Sequence, residues 1–158
     1  MDLNPTIQSI MTRKVVSVKP DTPLQEAAEL LARHGFDGMP VVDEENKLVG
    51  ILTEYDLISK GSAIHLPTFQ KVIENLGIYH KDKSRFKKDF AELSSLQVKD
   101  VMNKEPLILS EDATYEEAVA AFRDHHRVNP IPIIDKDRGV VGVISRFDIL
   151  KPPHLLSR

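Results

Sequence analysis

Two short runs carry residue types at a spacing that could do chemistry: Thr53-Glu54-Tyr55-Asp56 and Ser145-Arg146-Phe147-Asp148. Each follows an apolar run and opens a short helical pattern. Its hydroxyl and the free N–H groups of the first turn can therefore face an anion, which the dipole of a helix N-terminus favours. The carboxylate three residues on is an acceptor only and can take two hydroxyl donors at once. The same spacing is that of a capping box, in which the hydroxyl and the acid satisfy each other's backbone amides and no ligand is needed. On these residues alone, capping and binding both stand, and they can coexist in different liganded states.

What must position the two runs is an internal repeat. Met11-Thr12-Arg13-Lys14-Val15-Val16-Ser17-Val18 recurs 91 positions later as Met102-Asn103-Lys104-Glu105-Pro106-Leu107-Ile108-Leu109. The same offset carries Leu24, Ala27, Ala28 and Leu31 onto Tyr115, Ala118, Val119 and Phe122, each set an i, i+3, i+4, i+7 helical stripe. At an offset of 92, Met39-Pro40-Val41-Val42-Asp43 becomes Ile131-Pro132-Ile133-Ile134-Asp135, and Gly50 to Asp56 becomes Gly142 to Asp148.

Each copy reads strand, helix, strand, turn, strand, short helix, which predicts an α/β (α+β) chain of two β-α-β-β-α repeats. Val15 to Val18 is the first strand. The next helix starts at Thr22-Pro23, with a hydroxyl cap and Pro at its first position. Thr114-x-x-Glu117 offers a capping box in the second copy. Asp43 to Lys47 and Asp135 to Gly139 are polar hairpin turns. A unit of this size has too little core to stand comfortably alone, so the copies should pack sheet to sheet with pseudo-twofold symmetry.

The predicted organisation is repeat one over 7–60, an insert over 61–97 and repeat two over 98–151. In the insert, Phe69, Val72, Ile73 and Leu76 form a helical stripe ended by Gly77, and Phe86, Phe90 and Leu93 a shorter one. Its basic stretch from Lys81 to Asp89 reads as a solvated helix face before a docking patch.

With 158 residues, 41% hydrophobic and 28% charged, the chain is an ordinary globular protein, not a disordered one. A net charge of −3 argues against broad attachment to nucleic acid or an anionic membrane, so an anionic ligand needs a local field. The absence of cysteine excludes disulfides, thiolate catalysis and Cys-held zinc or iron–sulfur centres. Apolar runs are far short of the roughly 20 residues that span a bilayer, and the start lacks the pattern of a secretory signal. A cytosolic location is the expectation.

Taken together, Ile10-Met11 and Val101-Met102, the x-Pro-hydrophobic-hydrophobic-Asp strands and both Gly-h-h-[Ser/Thr]-x-x-Asp runs resemble the tandem cystathionine-β-synthase (CBS) domain module. The resemblance implies two clefts that bind adenine nucleotides or adenosyl compounds (AMP, ADP, ATP, S-adenosylmethionine or NAD) and regulate a partner, with the Asp taking the ribose hydroxyls. It implies that each cleft joins the Ser/Thr and Asp of one copy to apolar residues of the other. Site B would join Ser145 and Asp148 to Val15, Val16, Phe36, Met39 and Pro40. Site A would join Thr53 and Asp56 to Pro106, Leu107, Val128, Ile131 and Pro132. Most of these apolar residues would be buried in any case.

The sites differ in charge. Site B has Arg146 within its run and Arg13 and Lys14 at its mouth, whereas site A has Glu54 in place of Arg146 and pairs Lys104 with Glu105. Site B is thus expected to take the phosphorylated nucleotide, and site A to be empty or to take a less charged adenosyl ligand. Some phosphate-binding relatives carry a basic residue two places before the second strand's Pro, where this chain has Gly38 and Pro130.

The family commonly forms homodimers, for which Tyr55, Leu57, Ile58, Phe147, Ile149 and Leu150 are candidates, although they would equally serve as core. The alternative to ligand sensing is a constitutive interaction or dimerisation scaffold with vestigial sites. Met11 and Met102 read as core. His34 and His125, with His126, suit helix C-termini better than a metal, and no metal requirement is expected. Phosphate loops, dinucleotide fingerprints, nucleophile elbows and zinc-protease motifs are all missing, so no catalytic residue and no enzyme is expected.

Overall fold

Why each element forms can be followed along a computed structural model that describes residues 5–60 and 95–151. A 3-10 turn, Ile7–Ser9, precedes α1 (Leu24–His34), β1 (Gly38–Val42), β2 (Leu48–Thr53) and α2 (Glu54–Lys60). The second half runs α3 (Val98–Val101), β3 (Leu109–Ser110), α4 (Tyr115–Asp124), β4 (Ile131–Ile134), β5 (Val140–Ile144) and α5 (Arg146–Leu150). The helical stripes expected between Phe69 and Leu93 lie outside the described residues. Among the described residues no helix is long and apolar enough to cross a membrane.

Helix α1 buries Leu24, Ala27, Ala28 and Leu31, its predicted stripe, and stops at Gly35, which takes the left-handed φ of 63° that glycine tolerates best. The hydroxyl cap expected at Thr22 is a correction. Thr22 Oγ1 accepts from Lys19 N at 3.0 Å and shapes the preceding turn, and Pro23 is the N-cap. The helix does not need the hydroxyl, because the Leu24 amide donates to the Leu96 carbonyl at 2.9 Å. Helix α4 has its expected capping box: Glu117 N donates to Thr114 Oγ1 at 3.2 Å and Thr114 N to Glu117 Oε2 at 2.7 Å.

Both hairpins form as expected. β1 and β2 pair antiparallel with Met39 opposite Leu52, and β4 and β5 with Ile131 opposite Ile144, the same register 92 positions on. One aspartate closes each turn. Asp43 Oδ1 accepts from Glu45 N and Lys47 N, both at 2.9 Å, and Asp135 Oδ1 from Asp137 N and Gly139 N at 2.9 and 2.8 Å. The hairpins meet across the pseudo-twofold: Leu48 N donates to Arg138 O, Val140 N to Asn46 O, and Val42, Leu48, Ile134 and Val140 pack together.

The repeats also exchange their leading segments. Ile7, Ile10 and Met11 are buried with Phe122, Ile131 and Ile144 of the second half, while Val98, Val101 and Met102 are buried with Leu31, Met39 and Leu52 of the first. Thr12 pairs antiparallel with Val143, and Asn103 with Ile51. This exchange shortens the first strands. The chain pairs at Thr12 with one repeat and only at Val18 with Val41 of its own, so residues 13–17 are spent crossing between sheets. The strand expected over Val15 to Val18 is therefore a single bridge, and its counterpart β3 has two residues, parallel to β4.

Candidate functional site

Each crossing segment is paired at one end with one repeat and at the other end with the other. One runs from Thr12, paired to the strand that ends just before Ser145, to Val18, paired to the strand carrying Met39 and Pro40. It contains Lys14, Val15 and Val16. Its counterpart runs from Asn103, paired to the strand that ends at Thr53, to Leu109, paired to the strand carrying Ile131 and Pro132. It contains Lys104, Pro106 and Leu107. Each hydroxyl-aspartate run is thereby linked, through a segment of the other repeat, to that repeat's buried strand.

At the helix tips both runs are capping boxes. Asp56 Oδ2 accepts from Thr53 Oγ1 at 2.7 Å and Thr53 N at 3.2 Å. Asp148 Oδ2 accepts from Ser145 N at 2.8 Å and Ser145 Oγ at 2.9 Å. These are buried charged residues, at 8% and 5% exposure, and the short bonds from backbone and hydroxyl offset the cost of burying their charge. The first amide of α2, on Glu54, donates to Asp37 O at 2.9 Å, and that of α5, on Arg146, to Asn129 Oδ1 at 3.0 Å. Asp37 and Asn129 are repeat equivalents, and Asn129 Nδ2 donates to Asp37 Oδ2 at 2.6 Å, tying the two tips together.

Arg146 requires a correction. Expected to give site B its phosphate-directed charge, it donates instead to the carbonyls of Phe122, His125 and His126 at 3.1, 2.9 and 2.8 Å. Its guanidinium stands 5.1 Å from the centroid of the Phe122 ring. Carbonyls in and just beyond the last turn of α4 take the cation, as the helix dipole favours. Of the other cations expected at site B, Arg13 reaches Gln8 O at 3.3 Å and Lys14 is exposed.

At site A, Glu54, Lys104 and Glu105 are exposed. Arg127, a residue the charge comparison passed over, donates to Tyr55 Oη at 2.8 Å and lies over its ring, clasping the two repeats beside Val128. Phe147, the repeat equivalent of Tyr55, is 74% exposed.

The apolar candidates divide by burial. Met39, Pro40, Ile131 and Pro132 are almost completely buried. Val15, Val16, Pro106, Leu107 and Val128 are half-buried, and Phe36 is exposed, its ring stacked on His34 with centroids 4.9 Å apart. Pro130 packs against Gly38, where a β-carbon would stand 2.9 Å from the proline ring. Met11 and Met102 are core, as expected. Among the described residues no three histidine or acidic side chains converge as metal ligands.

Two α/β repeats that exchange their leading segments and place a hydroxyl-aspartate run at each end of the crossing define a paired-repeat module. The CBS domain profile matches residues 7–62 and 98–153, and the chain belongs to that family. It is 30% identical to the chloroplastic CBS domain-containing protein CBSX1 of Arabidopsis thaliana, over 97% of this chain and 66% of that protein. It is 36% identical to the inosine-5'-monophosphate dehydrogenase of Aquifex aeolicus, over 91% of this chain but 24% of that enzyme. The chain thus spans slightly under two thirds of the first relative and about a quarter of the second. The crystal structure of CBSX2 in complex with AMP superposes with a TM-score of 0.69 at 26% identity, covering 98% of this chain and 99% of that one.

Proposed function

We propose that this chain is a regulatory module that binds an adenine nucleotide, AMP before other adenosyl compounds, in the clefts between its CBS repeats and passes the bound state to a partner protein. The observation that carries this reading is the crossing: each segment leads from the strand that ends in one hydroxyl-aspartate box to the buried strand of the opposite repeat. The AMP complex of CBSX2, similar over nearly its whole length, supports the choice of ligand.

In this reading site B uses Ser145 and Asp148 with Lys14, Val15, Val16 and Phe36. Site A uses Thr53 and Asp56 with Lys104, Pro106, Leu107 and Val128. Met39, Pro40, Ile131 and Pro132 back the clefts from the core, and Arg146 is left out. No catalytic step is assigned, since the dehydrogenase relative is matched over a quarter of its length. Phe147 and Leu150, at 74% and 75% exposure, suit contact with a second copy, so a homodimer belongs to the reading. So does a cytosolic location, with a plastid as the alternative suggested by CBSX1.

Constitutive scaffolding is the second reading, and it is favoured by one observation: both aspartates are already satisfied by their own helix tips. Calorimetry and thermal unfolding with AMP separate the two. A ligand at 100 times its dissociation constant stabilises the fold by about 2.7 kcal/mol. Asp148→Asn and Asp56→Asn, which keep a cap acceptor but lose the charge, should each weaken the site they serve. No heat and no stabilisation with AMP, ADP, ATP or S-adenosylmethionine would establish the scaffold.

A further inference from the structure

Both carboxylate oxygens of Asp148 already have partners. Oδ2 is spent on Ser145, and Lys151 Nζ stands 2.5 Å from Oδ1. The Asp148 side chain is 7% exposed against 49% for that of Lys151, so the lysine is the movable partner. Its position follows from the chain. Pro152 comes next in the sequence, and a residue before proline is driven out of the helical region. Lys151 adopts φ −71° and ψ 120°, ends α5, and donates its amide to Asp148 O at 3.2 Å. The side chain is thereby turned back over the preceding turn and onto the carboxylate.

We infer that Lys151 is an internal competitor at the repeat-two site, a specificity-determining residue that admits only ligands able to replace its ammonium on Asp148. The inference rests on the nucleotide-binding reading. A pair of ribose hydroxyls supplies two donors to the carboxylate and can exchange for the lysine. A ligand that brings only apolar surface cannot, because it would leave that oxygen of Asp148 buried without a donor.

The test is calorimetric titration of the full chain with AMP, for the wild type, Lys151→Met and Lys151→Arg. Removal of the competing charge should tighten AMP by roughly three- to tenfold, about what a partly exposed ion pair contributes, and the arginine variant should stay within about twofold of wild type. A second measurement on the unaltered protein is the acetylation rate of Lys151, read by mass spectrometry. It should be slow beside that of the exposed Lys14 and should rise when AMP is added. AMP bound by the wild type with unchanged or weaker binding by Lys151→Met, or acetylation of Lys151 that AMP leaves unchanged, overturns the inference and leaves the nucleotide site standing. AMP bound by neither protein overturns both. AMP bound by Lys151→Met alone supports both.

Discussion

Met11 Sδ lies over Gly142 so closely that a β-carbon on the glycine would stand 2.7 Å from it, and Met102 Sδ stands 2.8 Å from the corresponding point on Gly50. The methionine that opens each repeat thus packs on the glycine that opens the hydroxyl-aspartate run of the other. Two features of the repeat that look separate in sequence are the two faces of one contact, and that contact locks the exchanged segments.

Gly142→Ala should cost about 1–3 kcal/mol in urea unfolding, the usual penalty of overpacking. Gly50→Ala should cost more, because its β-carbon also meets the Asn103 carbonyl at 2.8 Å, and backbone yields less than a methionine side chain. Adding Met11→Ala to Gly142→Ala should recover part of the loss. Strictly additive costs would show that the contact does not couple the repeats.

Arg146→Leu removes three hydrogen bonds from the end of α4 and should lower stability by about 1–2 kcal/mol. AMP affinity in the same variant should stay within about twofold of wild type, since a twofold change is only about 0.4 kcal/mol. A tenfold loss of affinity at unchanged stability would return Arg146 to the phosphate.

Asn129→Asp replaces the donor that faces Asp37 Oδ2 at 2.6 Å with a second carboxylate. The expected loss is about 1–2 kcal/mol at low salt, shrinking as salt screens the exposed pair. A loss independent of salt would assign the effect to the missing hydrogen bond alone.

The Thr114 amide and hydroxyl hold the Glu117 carboxyl below the usual glutamate range. A carboxyl lowered in the folded state stabilises above its unfolded pKa, and the contribution is lost as pH falls through the folded value. The gap in urea midpoint between wild type and Glu117→Gln should therefore be widest near neutral pH and close in acid. Thr114→Ala should cost about 0.5–2 kcal/mol at neutral pH.

Much of this protein is legible along the chain because it is local. The stripe of α1, the Thr114 cap, the Asp43 and Asp135 turns and the two hydroxyl-aspartate boxes are all decided within a few residues. The duplication makes each reading twice over, and it also places Met11 and Met102 in the core. Hydrophobic period and turn chemistry act at short range, so sequence reports them well.

What only the tertiary structure decided is where side chains find partners far along the chain. Nothing near Val15 announces that the chain must cross from one sheet to the other, which reduces its strand to a bridge. Nothing near Arg146 shows that the end of α4 lies within its reach. Lys151 could be placed against Asp148 only once the turn before Pro152 was seen. Composition and spacing set which groups exist and which local pattern they enter, but a long cation or a crossing segment goes to whichever unsatisfied partner folding brings near, and that is a property of the packed chain.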